Sequence, residues 1–275
     1  MQSNSIAKNF FTGIKHRVAG YFAHAERKAG LNWWKEKFLK HAAPGIERKF
    51  NFHGKVIYYS SPAEFLHTIK EIFIEEIYNV VLPPNAQIID CGANIGLAII
   101  YFKEKFPDAT VTAFEPDDRN YELLKKNMAS FGYTGVTLKK EAVWIKEETL
   151  IFSNEGTMGS KISGNNKIGA SVQATRLRNL LNRKIDFLKI DIEGAEYQVI
   201  KDIAECLTNV SNLFVEYHGR FEQNRELNEL LSILTETGFK FYIKEAAYVY
   251  AAPFLASNSQ DDKPYDLQLN IFCFR

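Results

Sequence analysis

The residues best suited to chemistry in this chain are carboxylates that recur where short apolar runs end. Asp90 closes the first run and leads into Cys91-Gly92-Ala93-Asn94-Ile95-Gly96. Glu115 closes the second, Glu141 the third, and Asp191 the fourth, followed by Ile192-Glu193-Gly194. The fifth carries Glu216 and then Tyr217-His218-Gly219. If these runs are parallel strands of one sheet, all five acids fall on the edge where open α/β sheets bind ligands. Like charges gathered at one edge are costly unless something pairs with them.

A ligand with a cation, hydroxyls and amines suits such an edge. S-adenosylmethionine fits, with its sulfonium, ammonium, ribose diol and adenine amine. Glu115, 25 residues after Asp90, stands where a carboxylate can accept both ribose hydroxyls. Glu141 is a candidate for the adenine amine. Gly92 and Gly96 let the backbone approach the amino-acid end of the ligand. A nicotinamide dinucleotide is the competitor, but its fingerprint is G-x-G-x-x-G over a pyrophosphate. The spacing in this chain is D-x-G-x-x-x-G, with Asn94 where the second glycine would stand.

The elements that must position these residues are legible as alternating apolar runs and amphipathic stretches. Strands are expected at 86–91, 110–115, 136–140, 186–191 and 212–217, and helices at 95–105, 117–131, 194–206 and 223–237. Two more strands, near 240–249 and 267–274, are joined without a helix, which implies an antiparallel partner at one edge. The alternation predicts an α/β fold with a mostly parallel seven-stranded sheet. Before it, "FNFHGKVIYY" (50–59) reads as a hairpin. Residues 61–82 read as a helix with Ser61 as N-cap, Pro62 in the first turn and Glu64 completing a capping box. Residues 143–175 break the rhythm and suggest an inserted hairpin and lid.

The stretches "IIDCGANIGLAIIYF", "VTAFEPDDRNYELLKKN", "EAVW", "DFLKIDIEGAEYQVI" and "LFVEYH" resemble the FkbM family of methyltransferases. The resemblance covers about residues 50–275. It implies a class I methyltransferase (Rossmann-like) fold, S-adenosylmethionine as donor, and O-methylation of a sugar or natural-product hydroxyl. Carried over by position, Asp90, Gly92, Asn94 and Gly96 match the donor loop and Glu115 the ribose acid. Asp191, Glu193, Glu196, Glu216 and His218 match charged positions around the active centre.

A sugar hydroxyl needs a base as its oxygen attacks the methyl carbon. His218, beside Glu216 and just past an expected strand end, is the leading candidate; its alternative is to hold a loop by hydrogen bonds. Glu193 is a second base or a substrate-orienting group, or else caps the helix near Gly194. Asp191 faces the donor or the acceptor, or caps. Together Asp191, Glu193, Glu216 and His218 also admit Mg²⁺ as a Lewis acid. Tyr248, Tyr250 and Phe254 could stack on an acceptor ring or pack on the sheet. A non-catalytic glycan-binding module on the same fold is a further alternative.

The chain has 275 residues, 46% of them hydrophobic, with a net charge of +1. That is enough for one catalytic domain, expected over 50–275, with an appendage over 1–49. The appendage holds ten Lys/Arg against three acids, and the remainder 24 against 30. An acidic body without a basic groove argues against nucleic acid. The basic arm is read as a solvated amphipathic helical face, with an anionic surface, a membrane or a glycan as the alternative. Trp33-Trp34 is expected to pack on the domain rather than anchor at a membrane, and an aromatic arm leaves a homodimer open. Three scattered cysteines point to reduced thiols and a cytoplasmic setting. No run is long enough to span a bilayer, and the N-terminus lacks an apolar core of signal-peptide length.

Overall fold

The computed structural model describes residues 29–153, 169–254 and 263–275. The helical pattern expected before residue 29 and the middle of the expected lid lie outside them. The chain divides into two compact units. The first runs to Val81 and takes in Ile95–Tyr101 and Leu123–Gly132; the second comprises Leu82–Asn94, Phe102–Glu122 and Tyr133–Arg275.

In the first unit α1 (Trp33–His41) opens on Asn32, whose side-chain oxygen accepts the Lys35 N–H at 2.9 Å. That bond satisfies one of the donors a helix leaves open at its start. The expected hairpin is β1 (Arg48–Phe52) and β2 (Lys55–Tyr59), paired antiparallel. Its turn places His53 and Gly54 at φ 49° and 84°. Two successive left-handed residues give the turn whose twist matches that of the strands. Phe52 and Tyr59 are buried against Phe73 and Phe65 of α2 (Pro62–Phe73), with ring centroids 4.7 and 4.3 Å apart. Asn127, fully buried, accepts the Tyr58 N–H at 2.6 Å and donates to the carbonyls of Tyr58 at 3.0 Å and Ile95 at 2.8 Å. Ser130 accepts the neighbouring Val56 N–H at 3.1 Å.

Three local expectations fail in this unit. The helix expected to reach residue 82 stops at Phe73, because the Lys70 carbonyl takes the N–H of both Ile74 and Glu75 and Glu76 turns left-handed at φ 52°. Ser61 makes no side-chain capping bond, and the start is marked by Pro62 with Glu64 in the first turn. The tryptophans do not pack on the described chain: Trp33 is 58% and Trp34 72% exposed, and Leu39 is the buried residue of α1.

The remaining elements, in chain order, are β3 (Gln87–Cys91), α3 (Leu97–Lys105), β4 (Thr110–Phe114), α4 (Asp118–Phe131), β5 (Val136–Lys139), β6 (Ala142–Trp144), β7 (Glu148–Ser153), β8 (Gly169–Arg176), β9 (Ile185–Ile190), α5 (Glu196–Ile203), β10 (Val210–Gly219), α6 (Asn224–Glu236), β11 (Lys240–Glu245) and β12 (Leu267–Phe274). The second unit is built on a seven-stranded sheet ordered β11-β12-β10-β9-β3-β4-β5. The five strands from β10 to β5 run parallel. Strand β12 is reversed and lies between β10 and the edge strand β11. Every residue of β9 is buried, as a parallel strand covered on both faces requires. Two of them, Asp186 and Lys189, are charged and therefore need partners. A small second sheet, β6-β8-β7, contains the antiparallel pair β7/β8 within the expected insertion.

Candidate active site

The parallel order brings the C-terminal ends of β5, β4, β3, β9 and β10 to one edge, side by side. After β3 the chain turns at Gly92, φ 83°, where an added Cβ would lie 1.8 Å from the Asp191 carbonyl oxygen. Only glycine fits, because the β3 and β9 loops touch backbone to backbone. Asp191 N–H donates to the Cys91 carbonyl at 3.1 Å, and Lys189 Nζ donates to the Gly92 carbonyl at 2.7 Å. Asn94 then turns left-handed at φ 50° and donates its N–H to Glu115 Oε2 at 2.7 Å; Asp117 N–H donates to Oε1 at 2.9 Å. Glu115 is buried, and that burial pushes its pKa up to about 7 against the two N–H bonds that oppose it. Each oxygen keeps a second lone pair for a ligand donor. Gly96 belongs to the first unit, where an added Cβ would crowd Leu124 and Met128.

At the ends of β9 and β10 the charges are paired ionically. Lys189, in the core of β9, lies 3.3 Å from Asp90 and 3.2 Å from Asp191. Asp90 is fully buried, so burial raises its pKa while the Lys189 ammonium draws it down. Glu193 and Gly194 both have positive φ, 56° and 94°. They are held by Glu196, a fully buried carboxylate at the start of α5 that accepts the Ile192 N–H at 3.1 Å and the Gly194 N–H at 3.0 Å. Glu196 also meets His218 Nδ1 at 3.1 Å. This fixes the imidazole from behind, as an orienting carboxylate does in an acid–base pair. The other ring nitrogen, Nε2, faces Glu216 at 3.6 Å and Glu193 at 3.8 Å. Burial works against a charge on His218, but the hydrogen bond and charge of Glu196, with Asp191 and Glu193, outweigh it and push the pKa up to about 10. The ring sits 4.8 Å from that of Tyr265, whose hydroxyl donates to the Glu193 carbonyl at 2.8 Å.

His218 therefore stands inside β10, not past its end, because β12 pairs with it as far as Gly219. Glu141 accepts the Thr175 hydroxyl of β8 and lies 3.7 Å from Lys139. Among the expected acceptor aromatics, Tyr248 and Phe254 are exposed, which removes the sheet-packing alternative for both. Tyr250 donates to Asp266 at 2.6 Å. Lys189 and Tyr265 escaped the sequence reading. Lys189 had a signal: a lysine between Leu188 and Ile190 in an expected buried strand must find a carboxylate. Tyr265 had none, since it reaches Glu193 from a loop 72 positions away.

Asp191, Glu193 and His218 bring one ligand atom each within 4.8 Å of one another. Mg²⁺ favours an oxygen octahedron, and a ring nitrogen is a poor member of that shell. As the residues stand they do not fit that ion, and no step below passes through a metal.

A model of the family described as "Methyltransferase FkbM domain" matches residues 90–241, which takes in every acid of the edge and His218. The chain belongs to the FkbM methyltransferase family. It is an S-adenosylmethionine-dependent methyltransferase on a class I fold, and the nicotinamide alternative falls away. The chain is 29% identical over 192 residues to "Methyltransferase 1" of Beauveria bassiana, covering 58% of this chain and 76% of that one. It is 30% identical over 219 residues to "Methyltransferase sdnD" of Sordaria araneosa, covering 64% and 82%. A methyltransferase FkbM structure from Methylobacillus flagellatus aligns over 71% of this chain with a TM-score of 0.46 and 15% identity; the chain spans 45% of that protein's length.

Proposed function

We propose that this FkbM methyltransferase transfers a methyl group to the hydroxyl of a sugar, glycan or natural product, with His218 as the base. The reading rests above all on the buried Glu196–His218 pair, whose other ring nitrogen, Nε2, faces Glu216 and Glu193. The donor supplies an electrophilic methyl carbon on a positively charged sulfur. Glu115 would hold its ribose through the remaining lone pairs, Glu141 would lie toward its base, and the loop from Asp90 through Gly92 and Asn94 would hold its amino-acid end.

In the ligand-free protein His218, like Lys189, carries a positive charge among these acids. A second cation bound at the same edge weakens its hold on that proton. Neutral His218, kept in one orientation by Glu196, then accepts the proton of the acceptor hydroxyl at Nε2. Glu216 and Glu193 stabilise the imidazolium that results, and Asp191, braced by Lys189, orients the acceptor. The free thiols Cys91, Cys206 and Cys273 suit a reducing compartment such as the cytoplasm.

The test is to incubate the enzyme and isotope-labelled donor with polysaccharide and metabolite extracts, and to seek a gain of one methyl by mass spectrometry. A methyl ether on a hydroxyl supports the proposal. Label on nitrogen or carbon instead would overturn it, and donor binding without transfer to any extract would favour the glycan-binding module.

A further inference from the structure

We infer that α1 and the turn after it form a docking surface for anionic membrane, a property separate from the methyl transfer. Four large apolar side chains stand exposed together in sequence: Trp33, Trp34, Phe38, which is 54% exposed, and Ile46, which is 57% exposed. Cations are interleaved with them. Lys37 lies over the Trp33 ring at 5.1 Å and Arg48 over the Phe38 ring at 5.5 Å. Lys40 is exposed on the same helix, and Lys49 is exposed on the strand that follows. The two acids of the stretch are already engaged: Glu36 with Lys40 at 2.8 Å and Lys70 at 2.7 Å, and Glu47 with Lys126 at 2.6 Å. The surface is left positive.

Tryptophan with flanking lysine and arginine is the composition that settles at the boundary between lipid headgroups and acyl chains. Basic side chains add attraction to an anionic leaflet. No helix among the described residues is long and apolar enough to cross a membrane, so contact through α1 is interfacial. Two other occupants suit the surface less. A second copy in a two-fold pair would set Lys37, Lys40 and Lys49 against themselves. A single-stranded nucleic acid wants parallel stacking platforms, whereas the Trp33 and Trp34 rings stand edge to face at 80°. The acidic remainder of the chain would also repel a long polyanion.

The experiment is co-sedimentation of the full chain with vesicles rich in phosphatidylserine and with vesicles of phosphatidylcholine alone. The full chain should sediment with the first and not the second, and added salt should release it. Trp33→Ala with Trp34→Ala, and separately Lys37→Glu with Lys49→Glu, should each cut vesicle partitioning by about tenfold. Both variants should unfold at the wild-type temperature, since all four side chains are exposed. Failure to sediment with phosphatidylserine vesicles would overturn the inference. So would unchanged binding by either variant, a wild-type dimer that the tryptophan variant dissolves, or retention on a single-stranded oligonucleotide in preference to vesicles.

Discussion

Two neighbouring halves of the same sheet edge treat their acids in opposite ways. At the β3–β4 end Glu115 is answered by neutral peptide groups, the N–H of Asn94 and of Asp117. At the β9–β10 end His218, Lys189 and the carboxylates around them answer one another with full charges. Peptide N–H groups stay where the backbone puts them and carry no proton to lose at working pH. Such an end is built to hold a ligand. Ion pairs whose partners titrate can exchange protons and rebalance when another charge arrives. Such an end is built to react. The contrast suggests that donor grip and proton transfer are separable by mutation.

The strongest break in that contrast is His218→Ala. Turnover should fall by roughly 10²–10⁴, the usual contribution of a general base, while donor affinity by calorimetry stays at the wild-type value. Unchanged turnover would return His218 to a loop-holding role. Next in size is Glu196→Gln, which leaves a buried imidazole without its charged partner. Stability should drop by about 3 kcal/mol, and the acid limb of the pH–rate profile, which the base governs, should move to lower pH, because His218 no longer holds its proton to about 10.

The sign for stability follows from the same group. The folded imidazole keeps its proton to about 10, whereas the unfolded one releases it near its ordinary value of 6.5. The stabilisation is therefore complete below 6.5 and is lost as pH rises toward 10, a slope that chemical denaturation at successive pH values measures and that Glu196→Gln should flatten. A smaller effect is expected at the holding end. Glu115→Gln should weaken donor binding by about 1–2 kcal/mol. In the wild type, affinity should fall as pH drops below about 7 and Glu115 takes up a proton; affinity level from pH 6 to 8 would remove Glu115 from the ribose role. The smallest is Tyr265→Phe, which removes one hydrogen bond to the Glu193 carbonyl and should cost about 1 kcal/mol of stability.

The sheet was legible because parallel strands covered on both faces leave short apolar runs, as in Leu213-Phe214-Val215, all buried. The acids at their ends could be placed in phase from the same runs. What the sequence could not show is which acids are displayed and which are spent. Asp90 is buried with Lys189 3.3 Å away, and Glu196 is spent on three N–H groups and an imidazole. That depends on contacts between strands far apart in the chain. The exposure of Trp33 and Trp34 was misread for a related reason: an amphipathic stripe says that apolar side chains want cover, not what supplies it.

The Asn127 amide closed over Tyr58, with Ser130 beside it on Val56, has a consequence for how this protein behaves when crowded. An outer strand that keeps its peptide groups open is a template for a stranger's strand. By answering one flank of β2 with side chains, the chain withholds that template, so the hairpin resists aggregation through that flank.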